Sequence, residues 1–186
     1  MLHLTSHISA QPNSLNIISA ISHVNNYFYY EGNVYIVGEQ HAYNPRIGTK
    51  LGMNFNKNIY KKLSLDLESG YSLSGFRFRN GGFLSDKLYD VHQIYFALSP
   101  QYNLFNHLNI GAGLLYNNNL SYKEIGYKVI NKNSNLAYCL NISYQINKWG
   151  IGIRYLDFMT PYNKATTFQE YWRLYELTLS YAIKSF

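Results

Sequence analysis

From Tyr175 to Ile183 the chain alternates without a fault. Tyr175, Leu177, Leu179, Tyr181 and Ile183 are large and apolar or aromatic, and Glu176, Thr178, Ser180 and Ala182 between them are polar or small. A period of two is that of a β-strand whose two faces meet unlike surroundings. It limits the fold strongly, because a one-residue slip in register would exchange the two faces entirely. Phe186 falls out of phase with Ile183. The last residues must therefore bulge or leave the sheet.

The same alternation recurs along the chain. A first strand lies within Leu15 to Val24, where Leu15, Ile17 and Ile21 share a phase that Ile18 and Val24 break; a segment rich in Tyr, Asn and Gly follows, 25–45, and reads as a long loop. A second strand sets Ile47, Thr49, Leu51, Met53 and Phe55 against Arg46, Gly48, Lys50, Gly52 and Asn54. After a turn around Asn56 to Lys62, a third sets Leu63, Leu65, Leu67, Tyr71 and Leu73 against Ser64, Asp66, Glu68, Gly70 and Ser72. The fourth has His92, Ile94, Phe96, Leu98 and Tyr102 on one face. Pro100 lies inside it and demands a bulge or an early end to pairing. The fifth, sixth and seventh carry Leu108 to Tyr116, Leu136 to Ile146 and Trp149 to Tyr155 in alternate positions, with Asn147-Lys148 as a tight hairpin turn.

That makes eight strands joined by alternating short and long connections. No run of about eighteen apolar residues exists, so any membrane crossing must be made by strands. Two barrels fit: a small transmembrane barrel, and a soluble lipocalin-like barrel with its apolar phase turned inward around a lipid. The polar phase separates them. It is Gly, Ser, Asn, Gln and Ala with single charges, whereas a water-facing phase should be rich in Lys and Glu. Only 14% of the 186 residues are charged, against roughly 25% in soluble domains. Aromatics sit at strand ends in the apolar phase, Tyr102, Tyr144 and Trp149 beside short turns and Tyr116, Tyr138 and Tyr155 toward long loops, like the two interfacial girdles of a membrane barrel. The fold expected is all-β: an eight-stranded antiparallel up-and-down transmembrane β-barrel over residues 11–186. Residues 1–10 read as the remnant of a signal peptide with a small-residue cleavage site at Ile8-Ser9-Ala10, or as a plain N-terminal arm.

The run His92-Gln-Ile-Tyr-Phe-Ala-Leu-Ser-Pro-Gln-Tyr102, followed by Leu108-Asn-Ile-Gly-Ala-Gly113, resembles the PorT-type outer-membrane β-barrel proteins of Bacteroidetes. The closing strand likewise resembles the C-terminal segment of bacterial outer-membrane barrels. Together these cover about half the chain, while the first strand lacks the glycines of the family pattern. The resemblance implies a bacterial outer-membrane location, with outer-membrane lipid, lipopolysaccharide and other envelope proteins as partners. It implies little chemistry, since the fold hosts many roles.

The residues themselves name no reaction. Six histidines are scattered without metal-ligand spacing, the single Cys139 excludes a disulfide within the chain, and no Ser, His and carboxylate can be drawn together, because His92 has the outward phase and Ser99 lies most of a strand away. No catalytic residue, metal or cofactor is assigned. The net charge of +6 is dispersed rather than gathered into a patch, which argues against nucleic acid. Two groups stand out. Arg77, Arg79 and Lys87 are loop charges, either simply solvated or contacting lipopolysaccharide phosphates. Arg46, Lys50, Asp66, Glu68 and Arg154 share the inward phase, and buried charges must be matched, so they are expected to form a network inside the barrel. Pairing Asn54 with Ser64 would place Lys50 opposite Glu68 and Gly52 opposite Asp66. The function this supports is an envelope component or membrane-complex subunit with a plugged lumen, not an enzyme. A lipid-modifying outer-membrane enzyme and a lipocalin-like carrier are the alternatives.

Overall fold

A computed structural model describes residues 13–30, 33–36, 43–45, 47–78, 87–105, 107–124, 127–129, 134–160, 163–164 and 168–186. Eight long strands form the wall: β1 (Ser14–Tyr30), β2 (Ile47–Tyr60), β3 (Leu63–Phe78), β4 (Lys87–Phe105), β5 (Leu108–Glu124), β6 (Ser134–Ile146), β7 (Trp149–Phe158) and β8 (Phe168–Ser185). Each pairs antiparallel with the next, and β8 pairs with β1 from Tyr30 opposite Phe168 to Ser14 opposite Ser185. That last ladder closes the barrel. Closure removes every sheet edge, the condition for a β-structure to cross hydrocarbon without orphaned backbone groups.

The strands outrun their apolar phase at the long-loop end. β1 continues to Tyr30 and pairs with Asn33–Ile36, β5 continues to Glu124 and pairs with Tyr127–Val129, and Tyr43–Pro45 adds to β3. These stretches read as loop in the sequence. A hairpin that projects beyond the wall needs no alternation, so period alone does not find it.

At the opposite end the turns are tight, with Lys61 and Asn147 in the left-handed region at φ 39° and 53°. The turn Lys61-Lys62 is shorter than the sequence suggested, and it shifts β2 against β3 by four residues. Asn54 lies opposite Glu68, Asn56 opposite Asp66 and Lys50 opposite Ser72. The expected Lys50–Glu68 and Gly52–Asp66 pairings are therefore corrected. Pro100 causes no bulge, and the interruption of pairing expected there is confined to one side of the strand. Its β3 partner is Leu65, and on the β5 side the ladder lapses at Ser99 and Pro100 and resumes in unchanged register at Gln101 opposite Gly111. Gly113 permits this close approach, since a Cβ there would drive into the Leu98 carbonyl oxygen. At the chain's end, β8 slips one residue at Ile183 and the Phe186 N–H bonds the Asn13 carbonyl at 3.0 Å. The slip restores Phe186 to the outer surface, where its ring lies 6.3 Å from that of Phe55.

The outer surface is the apolar phase. Ile21, Leu51, Leu67, Phe96, Leu140, Ile153 and Leu177 are all exposed. A wall of exposed Leu, Ile and Phe in register on every strand is stable against hydrocarbon rather than water. It also excludes the lipocalin-like arrangement, which needs that phase inside. Ile18 and Val24 are buried in the lumen, which is why they break the apolar phase of β1. Cys139 is a free thiol, 2% exposed among lumen side chains. A bulky water-soluble maleimide should react with it only after unfolding. Rapid labelling of the native protein would place β6 in the opposite register.

Candidate functional site

The lumen is layered, and each layer follows from the inward phase of the strands. Near mid-height lies a belt of four charges. Arg154 on β7 donates from Nη1 to Glu68 Oε1 at 3.1 Å and from Nη2 to Oε2 at 2.6 Å, a two-pronged pair reaching across to β3. Glu176 on β8 stands 3.7 Å from Arg154 Nη1 and 2.5 Å from Lys50 Nζ on β2. The order is Glu68, Arg154, Glu176, Lys50, anion and cation in turn, with no net charge. Lys50 and Glu176 have side-chain exposures of 3% and 0%. In such surroundings an isolated charge costs several kcal/mol, so mutual pairing is what makes the belt tolerable. Lys50 Nζ also lies 5.0 Å from the centre of the Tyr95 ring, whose hydroxyl occupies the space left by Gly52 and Gly70.

Toward the long-loop end the lumen is filled by Val24, Val91, Leu115, Ala137, Leu156, Phe158, Trp172 and Leu174, joined in one buried cluster. Beside it runs a ladder of amides. Ser72 donates to Gln93 at 3.1 Å, Gln93 to Asn119 at 2.7 Å, and Asn119 to Asn135 at 3.3 Å. Ladder and cluster together plug the barrel. Apolar atoms seal it, and the amides satisfy one another where strands β3 to β6 turn polar side chains inward.

Toward the short turns the lumen opens into a polar vestibule of about 320 Å³, lined by Asn16, Asn54, Asn109, Asn141, Thr178 and Arg154 among others. Asp66 faces it and accepts a hydrogen bond from Asn56 Nδ2. Asn16 donates to Asn54 Oδ1 at 2.9 Å.

Of the five residues read as an interior network, Lys50, Glu68 and Arg154 meet in the belt. Asp66 lies in the vestibule and makes no ion pair among the described residues, and Arg46 lies outside them. Two members were missed. Glu176 and Tyr95 both sit in the inward phase, so tallying inward charges on the closing strand would have found the first. Of the loop trio, Arg79 lies outside the described residues, and Arg77 and Lys87 are on paired strand ends, Arg77 opposite Leu88 and Phe78 opposite Lys87. Among the described residues no three His, Cys, Asp or Glu side chains converge for a metal. His92 is on the outer wall, hydrogen-bonded through Nδ1 to the Tyr71 hydroxyl, while Ser99 is buried in the lumen.

A closed eight-stranded antiparallel barrel with an apolar wall and a filled polar lumen is the architecture of the small bacterial outer-membrane β-barrels. Among solved structures, the outer membrane protein OprG from Pseudomonas aeruginosa matches over 96% of this chain and 99% of its own, with 13% identity and a TM-score of 0.54. Ail, the attachment invasion locus protein of Yersinia pestis, matches over 94% of this chain and 100% of its own, with 14% identity and a TM-score of 0.49. No protein-family model and no curated protein matches the chain in sequence. At these identities the likeness to OprG concerns the fold.

Proposed function

We propose that this chain is an outer-membrane barrel of PorT type, a structural or interaction component of the bacterial envelope that works through its wall and its long-loop end, and not an enzyme. The observation that carries this reading is the closed lumen. Leu115, Leu156 and Trp172 are each 0% exposed, directly beyond a belt of four paired charges. Eight strands leave an interior just wide enough for side chains, and here they occupy it. The vestibule is thus a blind pocket, with room for water but no route for solutes. The same reading assigns Arg77, Arg79 and Lys87 to lipopolysaccharide phosphates at the long-loop end, where guanidinium and ammonium groups suit phosphate.

The purified protein should float with outer-membrane vesicles, show the heat-modifiable gel shift of a compact barrel, and give no steady solute-sized conductance in a planar bilayer. Stable open-channel steps would replace this reading with a porin. Recovery as a detergent-free soluble monomer would remove the membrane assignment itself.

A further inference from the structure

The outer wall is not evenly filled. A groove of about 830 Å³ crosses it from β3 to β7. Its depth comes from Pro100 and Ala112, small outward residues set among Leu63, Tyr102, Ile110, Leu140, Ile142 and Ile153. Its course follows from register. Leu63 lies opposite Tyr102, Tyr102 opposite Ile110, and Ile142 opposite both Ile110 and Ile153, so one row of outward side chains runs square to five strands. Barrel strands tilt against the axis, so such a row climbs the wall. It begins at Leu63, the first residue after the Lys61-Lys62 turn, and rises to Ile153 and Tyr155, well up β7 from the turn at Asn147-Lys148.

The low end of the groove is cationic. Lys61 and Lys62 stand beside Leu63, and neither has a carboxylate partner among the described residues. Lys61 Nζ instead lies 5.2 Å from the centre of the exposed Tyr60 ring. Lys57, Lys148 and Lys184 share this end of the barrel, and the one described carboxylate side chain there, Asp66, faces inward to the vestibule. An apolar channel that crosses five strands and ends near two ammonium groups without carboxylate partners among the described residues, beside an aromatic ring, fits one chemical class.

We propose that this groove holds an anionic phospholipid, one acyl chain lying over Pro100 and Ala112 and the headgroup phosphate on Lys61 and Lys62. The site rests on the reading that the wall faces lipid. Apolar contact holds the chain without regard to headgroup, and the two lysines supply the preference for net negative charge.

Native mass spectrometry of the detergent-purified barrel, titrated with phosphatidylglycerol or phosphatidylcholine, tests the site. Phosphatidylglycerol should be retained as a one-to-one adduct with a roughly tenfold preference, the scale expected of a few lysines near anionic headgroups. Ala112→Leu fills the groove from the lipid side and should lose the adduct with either lipid. The double variant Lys61→Gln/Lys62→Gln leaves the groove intact, and should retain both lipids equally. Equal retention by the unaltered protein, an adduct that survives Ala112→Leu, or a preference that survives the double lysine change would each overturn the proposal. The heat-modifiable gel shift is read on every variant. A folded barrel without the adduct refutes this site alone, whereas a protein that never forms a detergent-stable barrel refutes the membrane reading beneath it.

Discussion

Replacing Arg154 by Met is expected to destabilise the barrel by roughly 3 to 5 kcal/mol, the usual cost of stranding a buried charge. The change strands one carboxylate and weakens the hold on a second. Glu68 loses both of its charge-assisted bonds, and Glu176 keeps only Lys50. Glu68→Gln alone should be costly for the mirror reason, leaving the guanidinium with one distant partner at 3.7 Å. The double change Glu68→Gln/Arg154→Met removes both charges and should recover part of the loss, because the belt then contains only the Lys50–Glu176 pair. Denaturant midpoints in lipid vesicles, read by the gel shift, give the full cycle. Strictly additive effects of Glu68→Gln and Arg154→Met would show that the two side chains do not support each other.

Trp172→Ala should cost about 3 to 5 kcal/mol by a different route, the loss of a large buried ring and the cavity left behind. Trp172 is 0% exposed and belongs to the same buried cluster as Val24, Leu156, Phe158 and Leu174. A cavity lined by such residues tends to stay dry, so the variant should remain silent in a planar bilayer although it is less stable. A loss below about 1 kcal/mol would mean that the outer half of the lumen is loosely filled. Conductance in this single variant would mean that the ionic belt cannot keep the lumen closed once the apolar seal is breached.

Much of the wall was legible in the sequence, because membrane and lumen impose opposite chemistry on successive residues. Leu177 and Glu176 differ in kind since one meets hydrocarbon and the other a crowded interior, and that contrast repeated eight times gives strand number, facing and closure together. It also placed Lys50, Glu68 and Arg154 inside. The register between strands was not legible. Period two leaves any even shift consistent with the same faces, and moving β2 against β3 by four residues turned an expected Lys50–Glu68 pair into contacts with Glu176 and Arg154 respectively. The apolar cluster was hidden for a related reason. Leu156, Phe158, Trp172 and Leu174 lie where β7 and β8 approach their long-loop ends, and there an inward apolar side chain looks like an interruption of the pattern until closure shows that six strands bring such side chains to one place. Along one strand, then, the sequence determines which way each side chain faces, because a single neighbour-to-neighbour alternation decides it. Which charges meet, what seals the lumen and where the outer wall is grooved depend on residues far apart in the chain, and only the closed barrel decides them.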